Sequence, residues 1–201
     1  MCDVLRLGDL VPALDIEVYN PKDHEFGVVS LEQIREDGRW AILVFYPADF
    51  TFVCPTELAD LADKYEDFRK LGAELISVST DTKFVHLAWH GDEKLLANVK
   101  YPMGADASGK LSRMFGVYEE TTGLDRRGTF LINPEGRLVS IEISFDNVGR
   151  NADELLRKLK AHVHVAAHPN EVCPAKWEQG GKTLTPGAKL VGNVGDALKK
   201  G

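Results

Sequence analysis

The sequence predicts an α/β fold with a mixed central sheet flanked by helices, and three observations predict it. Trp40 to Tyr46 is a continuous apolar and aromatic run, the pattern of a strand buried on both faces. From Cys54 to Leu71, the residues Leu58, Leu61, Ala62, Tyr65, Phe68 and Leu71 recur at helical spacing. Thr129 to Ile132 and Leu138 to Phe145 read as two antiparallel strands around the tight turn Asn133-Pro134-Glu135-Gly136.

In chain order, the strand at Trp40 to Tyr46 leads into Pro47 to Val53, which cannot be helix throughout because proline restricts the residue before it and supplies no N–H. The helix that starts at Cys54 stops at Gly72, a residue suited to the left-handed conformation that ends helices. Glu74 to Ser79 is a second strand. Thr80 or Asp81 then caps a helix running through Phe84, Val85, Leu87, Ala88, Leu95 and Leu96. After the hairpin, Asn151 caps a helix that continues through Val165. A parallel βαβ half, an antiparallel hairpin half and a returning helix form the order of a thioredoxin-like fold. From His168 onward the chain is rich in Gly, Pro and Lys without strong periodicity, which reads as an extended tail able to wrap a neighbouring subunit. The expected organisation is a thioredoxin-like domain over residues 1–167 and a C-terminal tail over 168–201.

The chain has 201 residues, 44% hydrophobic and 27% charged, enough to bury one substantial core. Its net charge of -7 disfavours nucleic acid and anionic membrane surfaces as partners, since both repel an acidic protein. Small or neutral substrates fit better. The first residues, MCDVLRLGDLVPALDIE, hold no apolar run of signal-peptide length, and no run of about 18 apolar residues occurs, so the expected location is cytoplasmic. In such a reducing compartment the cysteines, Cys2, Cys54 and Cys173, do not suggest a structural disulfide framework; any pairing should be transient and chemical.

Cys54 is the thiol with the most informative context. It stands immediately before Pro55 at a helix start, where unpaired backbone N–H groups favour thiolate over thiol. On these residues alone, packing and reactivity both remain open, because most lone cysteines are small buried hydrophobes. The surrounding pattern is more telling. Pro47-x-x-x-Thr51-x-x-Cys54, within ADFTFVCPTEL, resembles the peroxiredoxin signature, and FTFVCPTE is similar to the typical two-cysteine branch of that family. The resemblance continues through Arg127 in DRRGTFLINPEG, through Asn147-Val148-Gly149-Arg150-Asn151 and to Val172-Cys173-Pro174-Ala175-Lys176-Trp177. It covers nearly the whole chain and is nearest to the alkyl hydroperoxide reductase C type.

What the resemblance implies is specific. Cys54 corresponds to the peroxidatic cysteine, whose thiolate attacks a peroxide oxygen and becomes a sulfenic acid. Thr51 offers a hydroxyl to the sulfur and the bound peroxide, and Pro47 shields the pocket. Arg127 stabilises the anion and polarises the O–O bond, Arg150 is the second arginine, and Glu57 orients both guanidinium groups. Cys173 corresponds to the resolving cysteine, which attacks the sulfenic acid of another subunit to give an intersubunit disulfide. The implied partners are a hydroperoxide substrate, a dithiol reductant such as thioredoxin or a flavoprotein disulfide reductase, and further copies of the chain as dimers assembled into a decamer. No metal or organic cofactor is implied.

Other features have plainer readings. Cys2 has no helix-start context and is read as incidental, and Arg126 as a surface charge. His162, His164 and His168 do not form a metal set, because His162 and His164 point to different sides of a helix and the remaining pair supplies two ligands. Phe84 to His90 reads as helix core plus a solvated face. The Gly-x-Gly patterns are too scattered for nucleotide binding. A disulfide oxidoreductase of the thioredoxin type needs Cys-x-x-Cys, whereas Cys54 precedes Pro55-Thr56-Glu57. A holdase chaperone role, which larger assemblies of the family can take on, is the other rival reading.

Overall fold

A computed structural model of the chain describes residues 4–199. The chain forms two compact units, with the boundary after Ala152. Among the described residues no helix is long and apolar enough to cross a membrane.

The larger unit is built on a seven-stranded mixed sheet. Its strands are β1 (Asp15–Asn20), β2 (Glu25–Ser30), β3 (Trp40–Phe45), β4 (Ala73–Ser79), β5 (Met103–Ala105), β8 (Arg127–Ile132) and β9 (Leu138–Ser144), in the spatial order β2-β1-β5-β4-β3-β8-β9. A separate two-stranded ribbon, β6 (Tyr118–Glu119) with β7 (Leu124–Asp125), precedes β8. The central strands β3, β4 and β5 run parallel, whereas β8 is antiparallel to β3 and β9 to β8. β3 and β8 are buried along their full lengths, as a strand covered on both faces requires. The edge strands β2 and β9 are largely exposed or half-buried.

On one face of the sheet, Leu43 and Phe45 of β3 join Ile76, Val78, Phe115, Val117 and Phe130 in the main apolar core. Phe45, Phe115 and Phe130 meet there with ring centroids 4.8 to 5.5 Å apart, and two of their three contacts are edge-to-face. Truncating any of them to alanine is worth about 3 to 5 kcal/mol of stability. Helix α1 (Leu31–Glu36) buries Leu31 and Ile34 in the same core. Helix α2 (Cys54–Lys70) packs on β4 and buries Leu58, Leu61 and Phe68 at the spacing read from the sequence. It ends at Leu71, after which Gly72 takes φ +76, the left-handed stop.

Some local expectations change. Helix α3 (Lys83–Asp92) is capped by Thr82, whose hydroxyl accepts from Val85 N, and not by Thr80 or Asp81. Asp81 is engaged elsewhere, accepting from Asp49 N and Ser79 Oγ. The helix also stops short of Leu95 and Leu96: Glu93 accepts from Leu95 N and starts a separate 3-10 turn over Lys94–Asn98. The hairpin of β8 and β9 is as read. Its turn is closed by Gly136 N donating to Asn133 O, with Gly136 at φ +78. Helix α4 (Lys110–Met114) and strands β1, β2 and β5 are elements the sequence pattern does not announce.

Helix α5 (Ala152–Ala167) begins directly after Asn151, and the Ala152 N–H donates to Asp60 Oδ2 at 2.6 Å. The rest of the smaller unit is mostly irregular. It has a bridge between Val172 and Leu184, a 3-10 turn at Ala188–Leu190 and a short helix α6 (Val194–Lys199) near its end. Trp177 organises its middle. The indole N–H donates to Gly181 O at 3.0 Å, Arg157 Nη1 donates to Trp177 O at 3.2 Å, and the ring lies 5.0 Å from that of His164.

Candidate active site

The site forms where β3 gives way to α2. Tyr46 to Val53 connect the two, and Cys54 is the first residue of the helix, with no exposure to solvent. The N-cap is Val53, which has no side-chain acceptor, so the orphan N–H groups of the first turn receive no side-chain cap. Pro55 sits at the helix start, where a missing N–H removes nothing. Glu57, one turn into the helix, is buried.

Sheet topology brings the arginines here. Because β8 runs antiparallel to β3 and Gly128 pairs with Phe45, the first residue of β8, Arg127, emerges at the end of β3 from which the loop to Cys54 departs. A β-carbon at Gly128 would come within 2.6 Å of Val117 and 2.8 Å of Phe130, so only glycine permits this approach beside Arg127. Arg127 is 3% exposed and its Nη1 donates both to Cys54 Sγ at 3.4 Å and to Glu57 Oε2 at 2.5 Å. Its Nε donates to Asp146 O at 2.8 Å, which fixes the plane of the guanidinium. Arg150 reaches the same carboxylate from the other side. Its backbone N and Nε donate to Glu57 Oε1 at 2.8 and 2.9 Å, and Nη2 donates to Oε2 at 3.2 Å. Its Nη1 is tied to Gly128 O and Thr129 Oγ1.

Charge bookkeeping follows directly. Burial opposes a charge on Glu57, but hydrogen bonds and positive charge from Arg150, together with the charge of Arg127, hold its carboxyl below the usual value. Burial likewise works against the Arg127 cation, and contact with the Cys54 sulfur and Glu57 outweighs it and raises its pKa. Two guanidinium groups share one carboxylate, so this buried cluster carries one excess positive charge. The Cys54 sulfur is the group that Arg127 Nη1 faces besides Glu57.

Of the residues singled out from the sequence, Cys54, Glu57, Arg127 and Arg150 are thus in one hydrogen-bonded cluster. Pro47 is buried at the start of the connecting loop. Thr51 is half-buried, and its Oγ1 donates to Ala48 O at 2.8 Å, leaving lone pairs as the free hydrogen-bonding capacity of that hydroxyl. Cys173 lies in the smaller unit, half-buried, with its sulfur 4.0 Å from Ala161 O. Burial and then the negative charge of Glu171 push its thiol upward, with Arg157 opposing. Both Cys54 and Cys173 are free thiols. Cys2 lies outside the described residues. Arg126 is at the surface, paired with Glu119.

The histidine reading is refined. His164 and His168 stack with centroids 4.3 Å apart, and His164 Nε2 lies 2.9 Å from Glu171 Oε2. Among the described residues no group of three His, Cys, Asp or Glu side chains is arranged to hold a metal ion. The sequence reading misses one polar cluster next to the site, formed by Tyr46, Asp49 and His86. Its only signal is an acidic residue inside a short loop flanked by aromatics. The reading of Phe84 to His90 as core plus solvated face holds for buried Trp89 and exposed Phe84, but His86 is a fully buried polar group.

Comparison with known proteins agrees with this geometry. The model of the AhpC/TSA family matches residues 7–141, a stretch that contains Pro47, Thr51, Cys54, Glu57 and Arg127. Alkyl hydroperoxide reductase C of Salmonella typhimurium is 50% identical over 173 residues, covering 86% of this chain and 91% of that protein. The Staphylococcus aureus protein of the same name is 48% identical over 178 residues, covering 89% and 93%. The crystal structure of Enterococcus faecalis AhpC superposes with a TM-score of 0.78 at 43% identity, over 84% of this chain and 98% of that one. Reduced Plasmodium vivax 2-Cys peroxiredoxin gives a TM-score of 0.85 at 30% identity, over 93% and 98%. The fold, the buried thiol beside Arg127 and these matches lead to one conclusion: the chain belongs to the AhpC/TSA family of peroxiredoxins.

Proposed function

We propose that this protein is a thiol-dependent peroxidase that reduces hydrogen peroxide and small alkyl hydroperoxides through Cys54. The observation that carries the reading is the buried cluster in which Arg127 Nη1 donates to both Cys54 Sγ and Glu57. The Cys54 thiolate attacks one peroxide oxygen, forming an S–O bond as the O–O bond breaks. Electrons from sulfur thereby reduce the peroxide, and the departing oxygen takes a proton and leaves as water or an alcohol. Arg127 is held where negative charge builds on the oxygens, so its stabilisation is greatest in the transition state. The Thr51 hydrogen is committed to Ala48 O, so toward the substrate this hydroxyl accepts the peroxide O–H. Pro47 and the buried position of Cys54 restrict the site to small molecules.

The resulting sulfenic acid is attacked by Cys173 of a partner chain, releasing water and forming an intersubunit disulfide, which an external dithiol protein reduces. Thioredoxin or a flavoprotein disulfide reductase supplies that chemistry in the reducing cytoplasm. Assembly into dimers and then a decamer is supported by exposed aromatic side chains in the larger unit. Phe52 is 95% exposed and Phe84 63%.

Intact mass after one equivalent of peroxide tests the assignment. Cys54→Ser should abolish turnover, and Cys173→Ser should consume about one equivalent and stop with a sulfenic acid on Cys54. Oxidation at Cys173 with Cys54 unmodified would reverse the two roles.

A further inference from the structure

The buried cluster of Tyr46, Asp49 and His86 takes no part in the chemistry above, yet Asp49 lies between Pro47 and Thr51 in the loop that leads to Cys54. A carboxylate is expensive to bury, so its partners matter. Asp49 Oδ1 accepts from Tyr46 OH at 2.7 Å, and Oδ2 lies 2.8 Å from His86 Nδ1. The Asp49 N–H donates to Asp81 Oδ2 at 2.9 Å, and that same oxygen accepts from Ser79 Oγ at 2.9 Å. At the far side of the imidazole, His86 Nε2 is 3.0 Å from Gly104 O. A carbonyl only accepts, so Nε2 carries a hydrogen. One further proton lies between Nδ1 and the Asp49 carboxyl. The ring therefore bridges β5 to the loop, while Tyr46 and Asp81 hold Asp49 from the ends of β3 and β4.

The next residue shows what this clamp holds. Phe50 has φ +55, the left-handed region, which a residue with a β-carbon adopts only against a steric penalty. Such a conformation persists where the surroundings over-determine it, commonly at functional sites. Here the clamp on Asp49 precedes Phe50, and the Thr51 Oγ1 bond to Ala48 O follows it. The Phe50 ring is 55% exposed and its centroid is 6.3 Å from that of Trp89, a loose contact that leaves most of the constraint to the polar clamp.

We propose that Asp49 and His86 are positioning residues of the peroxidase reaction, holding Phe50 in its left-handed conformation and thereby fixing Pro47 and Thr51 within the loop that leads to Cys54. Neither touches the reacting atoms. Their effect falls on the reaction with peroxide, which uses Thr51, and not on the intrinsic reactivity of the sulfur, which depends on Arg127 and the helix start.

The test compares two reactions of Cys54 in the reduced full-length protein. Stopped-flow mixing gives the rate with hydrogen peroxide, and mass-resolved alkylation gives the rate with iodoacetamide, which has no use for Thr51. His86→Leu is expected to slow the peroxide reaction tenfold or more while alkylation stays within twofold of the parent. Asp49→Asn is the conservative rescue. Its Oδ1 still accepts from Tyr46 and its amide N–H donates to His86 Nδ1, with Nε2–H kept on Gly104 O, so the peroxide rate should stay within about threefold of the parent. Equal loss in both reactions, no loss in His86→Leu, or a loss in Asp49→Asn as large as that in His86→Leu overturns the proposal. Should His86→Leu fail to fold, Tyr46→Phe removes a single hydroxyl from the clamp. A loss of threefold or more confined to peroxide is then expected, and a parent-like ratio of the two rates refutes it. The inference rests on Cys54 being the peroxidatic residue. A parent protein whose Cys54 does not react with peroxide sinks that reading, whereas an active parent with indifferent variants sinks only the positioning role.

Discussion

Replacing Asp125 by asparagine should stabilise the protein increasingly as pH rises. Asp125 ends β7, two residues before Arg127, and is 2% exposed. Its Oδ2 is 3.0 Å from Ser112 Oγ, whose other neighbour, Asp106 Oδ2, is 2.8 Å away and also accepts from Ser112 N. The serine has one hydroxyl hydrogen for two carboxyl groups. If it goes to Asp106, a second proton on Asp125 must complete the chain, and the buried Asp125 Oδ1 has no hydrogen-bond partner to support a full charge. Burial first, and then the negative charges of Asp106 and Asp81, push the Asp125 carboxyl up from 3.8 to about 7, against the opposing hydrogen bond from Ser112.

The sign follows from linkage. A carboxyl raised in the folded state favours folding fully below the unfolded value near 3.8, and that contribution is lost as pH rises toward about 7. One pKa unit corresponds to about 1.4 kcal/mol, so a shift of roughly three units amounts to about 4 kcal/mol lost by pH 8, as an order of magnitude. Asparagine does not titrate, and its amide N–H can donate to Ser112 Oγ as the protonated acid does. Urea unfolding of both proteins under reducing conditions at pH 5, 6, 7 and 8 should show the advantage of Asp125→Asn growing by about 2 to 3 kcal/mol across the series and levelling off above pH 7. Parallel stability profiles for the two proteins would falsify the protonated-carboxyl account.

Two further outcomes are expected. Arg127→Leu should slow peroxide attack about 10²- to 10³-fold on the pH-independent plateau of the rate, because charge developing on the oxygens loses its fixed donor; an unchanged plateau in stopped-flow measurements removes Arg127 from the chemistry. Oxidised parent protein should migrate as a covalent dimer on a non-reducing gel and return to monomer with a dithiol, while an oxidised monomer lacking free thiols at Cys54 and Cys173 contradicts resolution by a partner chain.

The features legible in the sequence are those set by local pattern. β3 is readable because a strand covered on both faces has no alternation to disguise, and α2 because Leu58, Leu61 and Phe68 mark one face that Gly72 closes. β1 and β2 are not, since no position of β2 is fully buried and only a short Pro21 to His24 turn separates the two strands. The end of α3 escapes the pattern for a comparable reason: Leu95 and Leu96 continue the apolar spacing, but the competing hydrogen bond from Leu95 N to Glu93 breaks the helix. The site is legible only by family resemblance. Glu57 is separated from Arg127 by 70 residues and from Arg150 by 93, and nothing in their local context announces that they meet. The same distance problem hides His86, 37 residues from Asp49, and here no motif compensates.

Glu57 also shows why its own ion pairs are a poor explanation for its presence. A buried carboxylate between two guanidinium groups recovers little net stability, because desolvating all three charges consumes most of their attraction. Its geometric effect is larger. Oε1 takes the backbone N and Nε of Arg150, while Oε2 takes Arg127 Nη1 and Arg150 Nη2, so its donors come from two arginines, one of which touches Cys54. With Nε of Arg127 tied to Asp146 O, the guanidinium has one orientation, and in it Nη1 faces the sulfur. The carboxylate neutralises one of the two cations and leaves the charge of the other facing the Cys54 sulfur. Removing it would leave two buried positive charges against one sulfur and take from both guanidinium groups the acceptor they share. The register of β8 against β3 thus delivers Arg127 to the thiol, and a helix residue one turn beyond the thiol fixes how it arrives.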